Sequence, residues 1–347
     1  MNRVIVCNTR NLSSTMTGVQ RYTTEILSRL GGDVERLSPL GRHQGLIGHA
    51  WEQFVLPVKT KHKLLWSPCN TGPLSVANQV LSIMDVAPLD HPEWSSRKFA
   101  SWYRYLIPRL AKKVQNIITI SEVSKQRILH HCPDASSKIA VTPLAADQRF
   151  KPTESAAIDK MADELKLPSR NYVVALGSLE PRKNLPRLLR VWKKIQSELP
   201  EDIWLVLAGA EGASLVFRKE RYDHIPPRVF LTGHVPDHHL PALYSGSLAS
   251  IYLSYYEGFG LPPLEAMSCG APVIVANAAS LPEVVGSAGL LVDPYDDDAI
   301  ANGLMSLLDD SILRRDLAER GLKQAMSFSW DQTAEKTKRI LETASKV

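Results

Sequence analysis

Short apolar runs alternate with helical patterns along the whole chain, and this alternation restricts the fold more than any other feature. Repeated strand–helix units form parallel sheets that helices cover on both faces. The runs fall into two series, which in a chain of 347 residues indicates two domains. We therefore predict an α/β protein of two doubly wound domains with a cleft between them, in which ligands bind at the carboxyl ends of the strands.

The two series give the predicted elements and the domain boundary. The first-series strands are Val4–Val6, Leu64–Trp66, Val80–Met84, Asn116–Ile120 and Ile139–Thr142, with helices at Val19–Leu30, Arg97–Lys113 and Glu122–His131. The second-series strands are Tyr172–Leu176, Trp204–Ala208, Val229–Leu231, Leu248–Leu253, Pro272–Val275 and Gly289–Val292, with helices near Asn184–Glu198, His238–Ser245 and Leu264–Ser268. A linker at Gln148–Ser155 divides the chain into domains 1–150 and 151–329. We expect an amphipathic tail helix within 330–347 to complete the first domain.

Charge and cysteine usage limit the partners and the compartment. Residues 1–150 contain 19 Lys/Arg against 10 Asp/Glu, whereas residues 151–347 contain 22 against 26. The basic first half suits a phospholipid surface or a pyrophosphate-linked acceptor, or else it is chance scatter of surface charge. The four cysteines form no CxxC pair, and the N-terminus reads as a first strand, so we expect a cytoplasmic protein. No apolar run approaches the roughly 20 residues that would span a bilayer, and we expect no nucleic-acid partner.

Two glutamates separated by seven residues mark the candidate site. An apolar strand leads into Tyr-Tyr-Glu-Gly-Phe-Gly-Leu-Pro-Pro-Leu-Glu, residues 255–265, and the prolines suit the first turn of a helix from about Pro263 to Ser268. Glu257 is then at the carboxyl end of a strand, and Glu265 is inside the next helix. The amides at that helix start favour a phosphate, while the carboxylates accept hydrogen bonds from sugar hydroxyls. A nucleotide sugar offers both groups.

The residues also resemble a known family, with several motifs in the same order. The chain is similar to glycosyltransferase family 4, retaining enzymes of the two-Rossmann-domain GT-B fold, over nearly its whole length. The resemblance rests on the paired glutamates, on Leu176-Gly-Ser-Leu-Glu-Pro-Arg-Lys-Asn184, and on segments 18–22, 119–125 and 280–285. Segment 67–73 resembles a subgroup that builds bacterial surface polysaccharides from mannose- or rhamnose-type donors.

The resemblance implies roles for individual residues. Glu257 would contact hydroxyls of the donor sugar, and Glu265 would contact the ribose. Arg182 and Lys183 would neutralise the diphosphate in place of a metal, although a solvated charged turn is the alternative. The remaining implied donor-binding residues are Gly18, Ser178, Gly233, Val235, Gly258, Phe259, Gly260 and Leu261. Gly18 can also simply follow a helix cap at Thr17, and both roles can hold at once.

The chain departs from the family at Ser178, where an arginine is usual and Arg182 would substitute, and mainly at position 84. Many members have a histidine just before Asp85, but this chain has Met84 there. Asp85 then either binds donor or acceptor, or only caps its loop, and His91 is a weaker candidate.

Two further segments have competing interpretations. We expect no metal at His234, His238 and His239, since adjacent histidines in a helix capped by Asp237 would point to different sides. Residues 94–113 mix aromatics with six cations, which suits either a membrane interface or a core helix with a basic solvent face.

The sequence therefore predicts a metal-independent, retaining hexosyltransferase that needs no cofactor. It would move a hexose, first mannose from GDP-mannose and second a deoxyhexose, to a glycan or lipid-linked acceptor at the inner face of the cytoplasmic membrane. A nucleotide-sugar epimerase of the same fold and a non-catalytic nucleotide-sugar binding protein are the alternatives.

Overall fold

The computed structural model describes residues 4–13, 17–39, 41, 45–177, 180–209 and 225–346, without the side chains of residues 33 and 46. The chain divides into two compact units. The first contains residues 1–92, 97–144 and 329–347, and the second contains residues 93–96 and 145–328.

The first unit is built on a six-stranded parallel sheet of order β2-β1-β3-β4-β5-β6. Its strands are β1 (Ile5–Asn8), β2 (Val34–Leu37), β3 (Leu64–Ser67), β4 (Gln79–Ser82), β5 (Asn116–Thr119) and β6 (Ile139–Val141). All registered pairs are parallel, so the carboxyl ends of these strands share one edge of the sheet. The predicted strand at Val80–Met84 ends earlier than expected, at Ser82.

Helices cover this sheet. They are α1 (Gly18–Leu30), α2 (Gly45–Ala50), α3 (Leu56–Lys59), α4 (Ala87–Asp90), α5 (Arg97–Lys113) and α6 (Glu122–His131). A π-helical turn, Trp51–Val55, joins α2 to α3. The apolar face of α5, from Tyr103 to Ala111, packs into the core with Leu81 and Ile117, which is why this helix forms at its predicted bounds.

The second unit repeats the architecture with sheet order β12-β11-β10-β7-β8-β9, again with parallel pairs. Its strands are β7 (Asn171–Leu176), β8 (Ile203–Ala208), β9 (Val229–Gly233), β10 (Ala249–Tyr252), β11 (Val273–Ala276) and β12 (Gly289–Val292). Its helices are α7 (Ser155–Glu164), α8 (Leu185–Ile195), α9 (Leu240–Ser245), α10 (Leu261–Ser268), α11 (Leu281–Val285), α12 (Asp297–Asp309) and α13 (Ser311–Ala325). The core forms where Trp192 and other apolar residues of α8 meet β7, β8 and α12.

The last helix, α14 (Trp330–Ser345), returns to the first unit. It packs against α1, and its Thr333 hydroxyl donates a hydrogen bond to the Pro143 carbonyl (2.6 Å). Arg29 of α1 forms an ion pair with Asp331 (2.6 Å). Apart from residues 93–96, the two units divide at residues 144/145 and 328/329, a few residues from the predicted 150/151 and 329/330.

No helix among the described residues is long and apolar enough to cross a membrane.

Candidate active site

The loop after β7 places two cations at the carboxyl edge of the second sheet. A 3-10 turn, Pro181–Lys183, follows the strand, and Asn184 then adopts a left-handed conformation (φ 57°) before α8 begins. The Asn184 side-chain amide donates a hydrogen bond to the Pro294 carbonyl (2.9 Å), which fixes the end of the turn. The predicted Ser178 lies outside the described residues.

One carboxylate oxygen of Glu257 joins both cations. Glu257 Oε1 lies 2.6 Å from Arg182 Nη1 and 2.7 Å from Lys183 Nζ. The Tyr252 hydroxyl, at the end of β10, donates to the same oxygen at 2.9 Å, and Lys183 Nζ also contacts this hydroxyl. Arg182 Nε donates separately to Glu180 (2.7 Å). Three predicted catalytic residues are thus in direct contact.

The cations are largely buried, so the alternative of a solvated charged turn is wrong. The side chains of Arg182 and Lys183 are 20% and 9% exposed, and that of Glu257 is 11% exposed. Burial disfavours the ionised form of Glu257, but the charges of Arg182 and Lys183 outweigh this effect and lower its pKa to about 2. Burial and the neighbouring Arg182 charge lower the pKa of the Lys183 ammonium, while Glu257 opposes that decrease. Glu257 is therefore ionised at neutral pH, in direct contact with Arg182 and Lys183.

The backbone between the two glutamates is fixed by Gly260 and Ser280. Gly260 has φ 124°, and a Cβ atom there would lie 2.9 Å from Leu281 Cδ2, so the position favours glycine. The Ser280 hydroxyl contacts the carbonyls of Glu257 (2.9 Å) and Phe259 (2.6 Å), which explains why the predicted 280–285 motif accompanies the glutamates. The Phe259 ring is buried against Phe328, so a ligand could contact this residue only through its main-chain atoms.

The helix after this loop begins earlier than predicted. Because α10 starts at Leu261, with Gly260 as its N-cap, both prolines fall in its first turn. Glu265 lies in the middle of the helix and is 4% exposed. Gly258 is also buried. The proposed contacts of Glu265, Gly258 and Leu261 with a nucleotide stay predictions.

The remaining predicted residues of the second unit follow β9. Gly233 ends this strand with φ 67°, and its carbonyl accepts a hydrogen bond from the Gly209 amide (2.9 Å). Val235 is buried two residues later. They lie at and just after the carboxyl end of a strand in the same parallel sheet as β7 and β10, the edge at which doubly wound units bind ligands; a contact with the nucleobase stays a prediction.

The sequence argument about the adjacent histidines is wrong in its geometry. α9 begins at Leu240 with His239 as its N-cap, so Asp237 is not the cap and instead pairs with Arg149 (3.2 Å). His238 and His239 lie in the preceding turn with ring centroids 4.0 Å apart. Their ring nitrogens and a Glu164 oxygen lie within 4.8 Å of one another, which is close enough for a shared ion. The sharp turn, unlike a helix, lets neighbouring side chains point the same way.

In the first unit, Gly18 and Asp85 both lie near the starts of helices. Gly18 is the first residue of α1, and Thr17 forms a capping box with Gln20, as the simple cap interpretation predicted. Asp85 follows β4, and its Oδ1 accepts a hydrogen bond from the Ala87 amide (3.0 Å) at the start of α4. A capping role for Asp85 is therefore present. Ligand roles for Gly18, Asp85 and His91 stay predictions.

Sequence reasoning missed a buried ion pair at the carboxyl ends of β1 and β3. Glu52 is fully buried, and its Oε2 accepts hydrogen bonds from Asn8 Nδ2 (2.9 Å), Arg10 Nε (3.2 Å) and the Thr71 hydroxyl (3.1 Å). Burial alone would raise the pKa of Glu52, but His49 and Arg10 lower it. No local motif signals this cluster, because its members are distant in sequence.

The fold and the second-unit site define a GT-B glycosyltransferase. A family model described as glycosyl transferases group 1 matches residues 158–324. O-antigen chain mannosyltransferase B of Escherichia coli is 34% identical over 271 residues, which are 76% of this chain and 70% of that protein. Serotype-specific mannosyltransferase WbdA of Escherichia coli is 31% identical over 64% of this chain, but only 28% of its own length is matched. The crystal structure of WaaG, a glycosyltransferase involved in lipopolysaccharide biosynthesis, superposes with a TM-score of 0.73 at 15% identity and covers 97% of this chain and 99% of WaaG.

The chain belongs to the glycosyl transferases group 1 family. Among its relatives it resembles bacterial polysaccharide mannosyltransferases.

Proposed function

We propose that the protein is a retaining mannosyltransferase that moves mannose from GDP-mannose to a glycan or lipid-linked oligosaccharide during surface polysaccharide synthesis. The observation that supports this most is the Arg182–Lys183–Glu257 cluster at the carboxyl edge of the second sheet. Relatives named as O-antigen mannosyltransferases support the choice of sugar and of pathway class.

In this proposal the two cations do the work that a metal ion does in other transferases. The bond between the anomeric carbon and the diphosphate oxygen breaks, and negative charge grows on the leaving phosphate. Arg182 and Lys183 stabilise that charge from fixed, largely buried positions. The acceptor oxygen bonds to the same face of the anomeric carbon, and the leaving phosphate takes its proton. Glu257 orients the sugar through its hydroxyls, and the reaction needs no metal.

The first unit supplies the acceptor side of this proposal. Asp85 follows β4 and Arg10 follows β1, so both lie at the carboxyl edge of the first sheet. Arg10 also pairs with Glu52 of the π-helical turn (3.2 Å). Such a polar edge suits the hydroxyls of an acceptor sugar.

A membrane contact through residues 94–113 also remains part of the proposal. Most apolar residues of α5 face the core, while the cations and Tyr105 are exposed, so this helix itself offers anionic lipids mainly charge. Residues 94–96 lie outside α5 and belong to the second unit, where Trp94 packs against the ring of Tyr256.

Product analysis with GDP-mannose tests the proposal. We expect the donor to be consumed only when a mannoside or lipid-linked glycan acceptor is present. NMR of the product should show that the new linkage keeps the donor's anomeric configuration. A change of sugar configuration with donor alone would establish the epimerase. Tight binding of GDP-mannose without turnover on any acceptor would establish the binding protein.

A further inference from the structure

The segment from Gly45 to Thr60, which no sequence motif identified, exposes several large apolar side chains. Its inward positions recur every four residues and include Leu56 but also the charged Glu52 and the hydroxyl of Thr60. Four large apolar side chains lie on the opposite, exposed side. These are Ile47, Phe54, Val55 and Val58, which we call the apolar face.

Buried hydrogen bonds hold this segment in place although its exposed side is apolar. The π-helical turn Trp51–Val55 brings Glu52 into the interior, where Asn8, Arg10 and Thr71 donate to it. The segment is therefore held to the first unit by a buried hydrogen-bond network. Its outward side chains contribute little to that docking, so the fold itself does not require them to be apolar.

The exposure of the apolar face is large. Phe54 and Val58 are 76% and 75% exposed, and Ile47 is 65% exposed. Four of the 13 exposed large hydrophobic residues in the described part of the chain lie between residues 47 and 58. Single exposed apolar residues are ordinary, but a clustered set on one helical face indicates an interaction surface.

Aromatic and basic groups adjoin this face. The His49 ring contacts that of Trp102 (centroids 5.7 Å apart), which joins the segment to α5. Trp102 stacks with Tyr105, and the Arg109 guanidinium lies 3.8 Å from the centroid of the Tyr105 ring. Exposed basic residues flank the two helices, namely Lys59, Lys61, Arg97, Lys98, Arg104, Lys112 and Lys113.

We propose that the apolar face inserts into an anionic phospholipid bilayer. Apolar side chains enter the boundary between headgroups and acyl chains, while tryptophan and tyrosine suit the headgroup level. The surrounding cations match the negative charge of anionic lipid headgroups. This inference rests on the proposed function only for its choice of partner, and it moves the inserting element from residues 94–113 to residues 47–58.

Vesicle sedimentation of the full chain tests the proposal without donor or acceptor. We expect binding to vesicles of phosphatidylcholine with phosphatidylglycerol, weaker binding to phosphatidylcholine alone, and further weakening as salt rises. The double substitution Phe54→Ser/Val58→Ser should lower the partition coefficient by about tenfold or more, because both side chains lose apolar burial in the bilayer. The matched control Ile312→Ser/Met326→Ser removes equally exposed apolar groups from the second unit and should bind as the unsubstituted protein does.

Three results would overturn the inference. The first is undiminished vesicle binding by the Phe54/Val58 variant, and the second is equal weakening by the Ile312/Met326 variant. The third is a dimer in analytical ultracentrifugation that the Phe54/Val58 variant dissociates, without any vesicle binding, which would assign the face to a second copy of the chain. Transfer to a soluble acceptor should be unchanged in the variant, so failure of the membrane inference and failure of the proposed function are separable.

Discussion

Replacing Glu257 with glutamine should destabilise the second unit by an amount that depends on pH. The substitution keeps the shape of the side chain but removes the charge that Arg182 and Lys183 share. The pKa of Glu257 is lowered from 4.5 to about 2 in the folded protein. That difference corresponds to roughly 3 kcal/mol of stability at neutral pH. The side chain is only 11% exposed, so solvent screens the interaction little.

The sign of the pH dependence follows from the direction of the pKa shift. Because the folded-state pKa of Glu257 is depressed, the contribution of this residue to the free energy of unfolding is fully present above the unfolded-state pKa near 4.5. It is lost as the pH falls from about 4.5 to about 2. Glutamine cannot titrate, so the stability difference between the two proteins should shrink over the same interval.

Urea denaturation followed by tryptophan fluorescence at a series of pH values measures this difference. We expect Glu257→Gln to lower the free energy of unfolding by about 3 kcal/mol at pH 7 and by much less near pH 3. The control Glu319→Gln changes an exposed glutamate on the same unit and should have almost no effect. A Glu257→Gln effect below about 0.5 kcal/mol at pH 7, or one that stays constant with pH, would refute the ion-pair reasoning.

Three further outcomes follow from the structure. Lys183→Ala should lower kcat by about 30- to 1,000-fold, equivalent to roughly 2–4 kcal/mol. The control Lys194→Ala changes an exposed surface ion pair and should leave kcat unchanged. Steady-state kinetics with GDP-mannose measure both. Gly260→Ala should lower the free energy of unfolding by at least about 1 kcal/mol, measured by urea denaturation, because of its positive φ and the contact that its Cβ would make. Glu52→Ala should cost about 3–5 kcal/mol in the same assay, because it leaves the largely buried Arg10 without its carboxylate; near-normal stability would contradict that pairing.

The sheets could be predicted because their strands are continuous apolar runs. Helix α5 and strand β12 have the predicted bounds, since each carries a clear apolar period or run. Helix α6 also has them, although it buries little beyond Ser124 and Ile128; its start is marked by the Ser121 cap. Strand β2 was missed because it is an edge strand whose Val-Glu-Arg-Leu sequence has two exposed charges and no apolar run. Helix α13 was missed because it buries little beyond Leu317 and Gly321, so no apolar face stands out.

The site was predictable only where function restricts neighbouring residues. The spacing of Glu257 and the sequence Arg182-Lys183 are local signals, and the parallel sheet brings them together because β7 and β10 are adjacent. Glu52 has no such signal, because its partners are distant from it in sequence: Asn8 and Arg10 at the end of β1, and Thr71 after β3. Its position also depends on a π-helical turn, which a search for 3.6-residue periodicity does not find.

The contacts of Glu257 suggest how donor binding and catalysis are linked in the proposed function. Lys183 is buried beside Arg182, and both effects lower its pKa, while the charge of Glu257 opposes that decrease. Glu257 lies 2.7 Å from the ammonium within the protein. A diphosphate brought by the donor offers the same cations more negative charge, and it would free Glu257 to accept hydrogen bonds from the sugar. The cations would then remain charged and in place throughout the exchange, which is the preorganisation that stabilising a leaving phosphate requires.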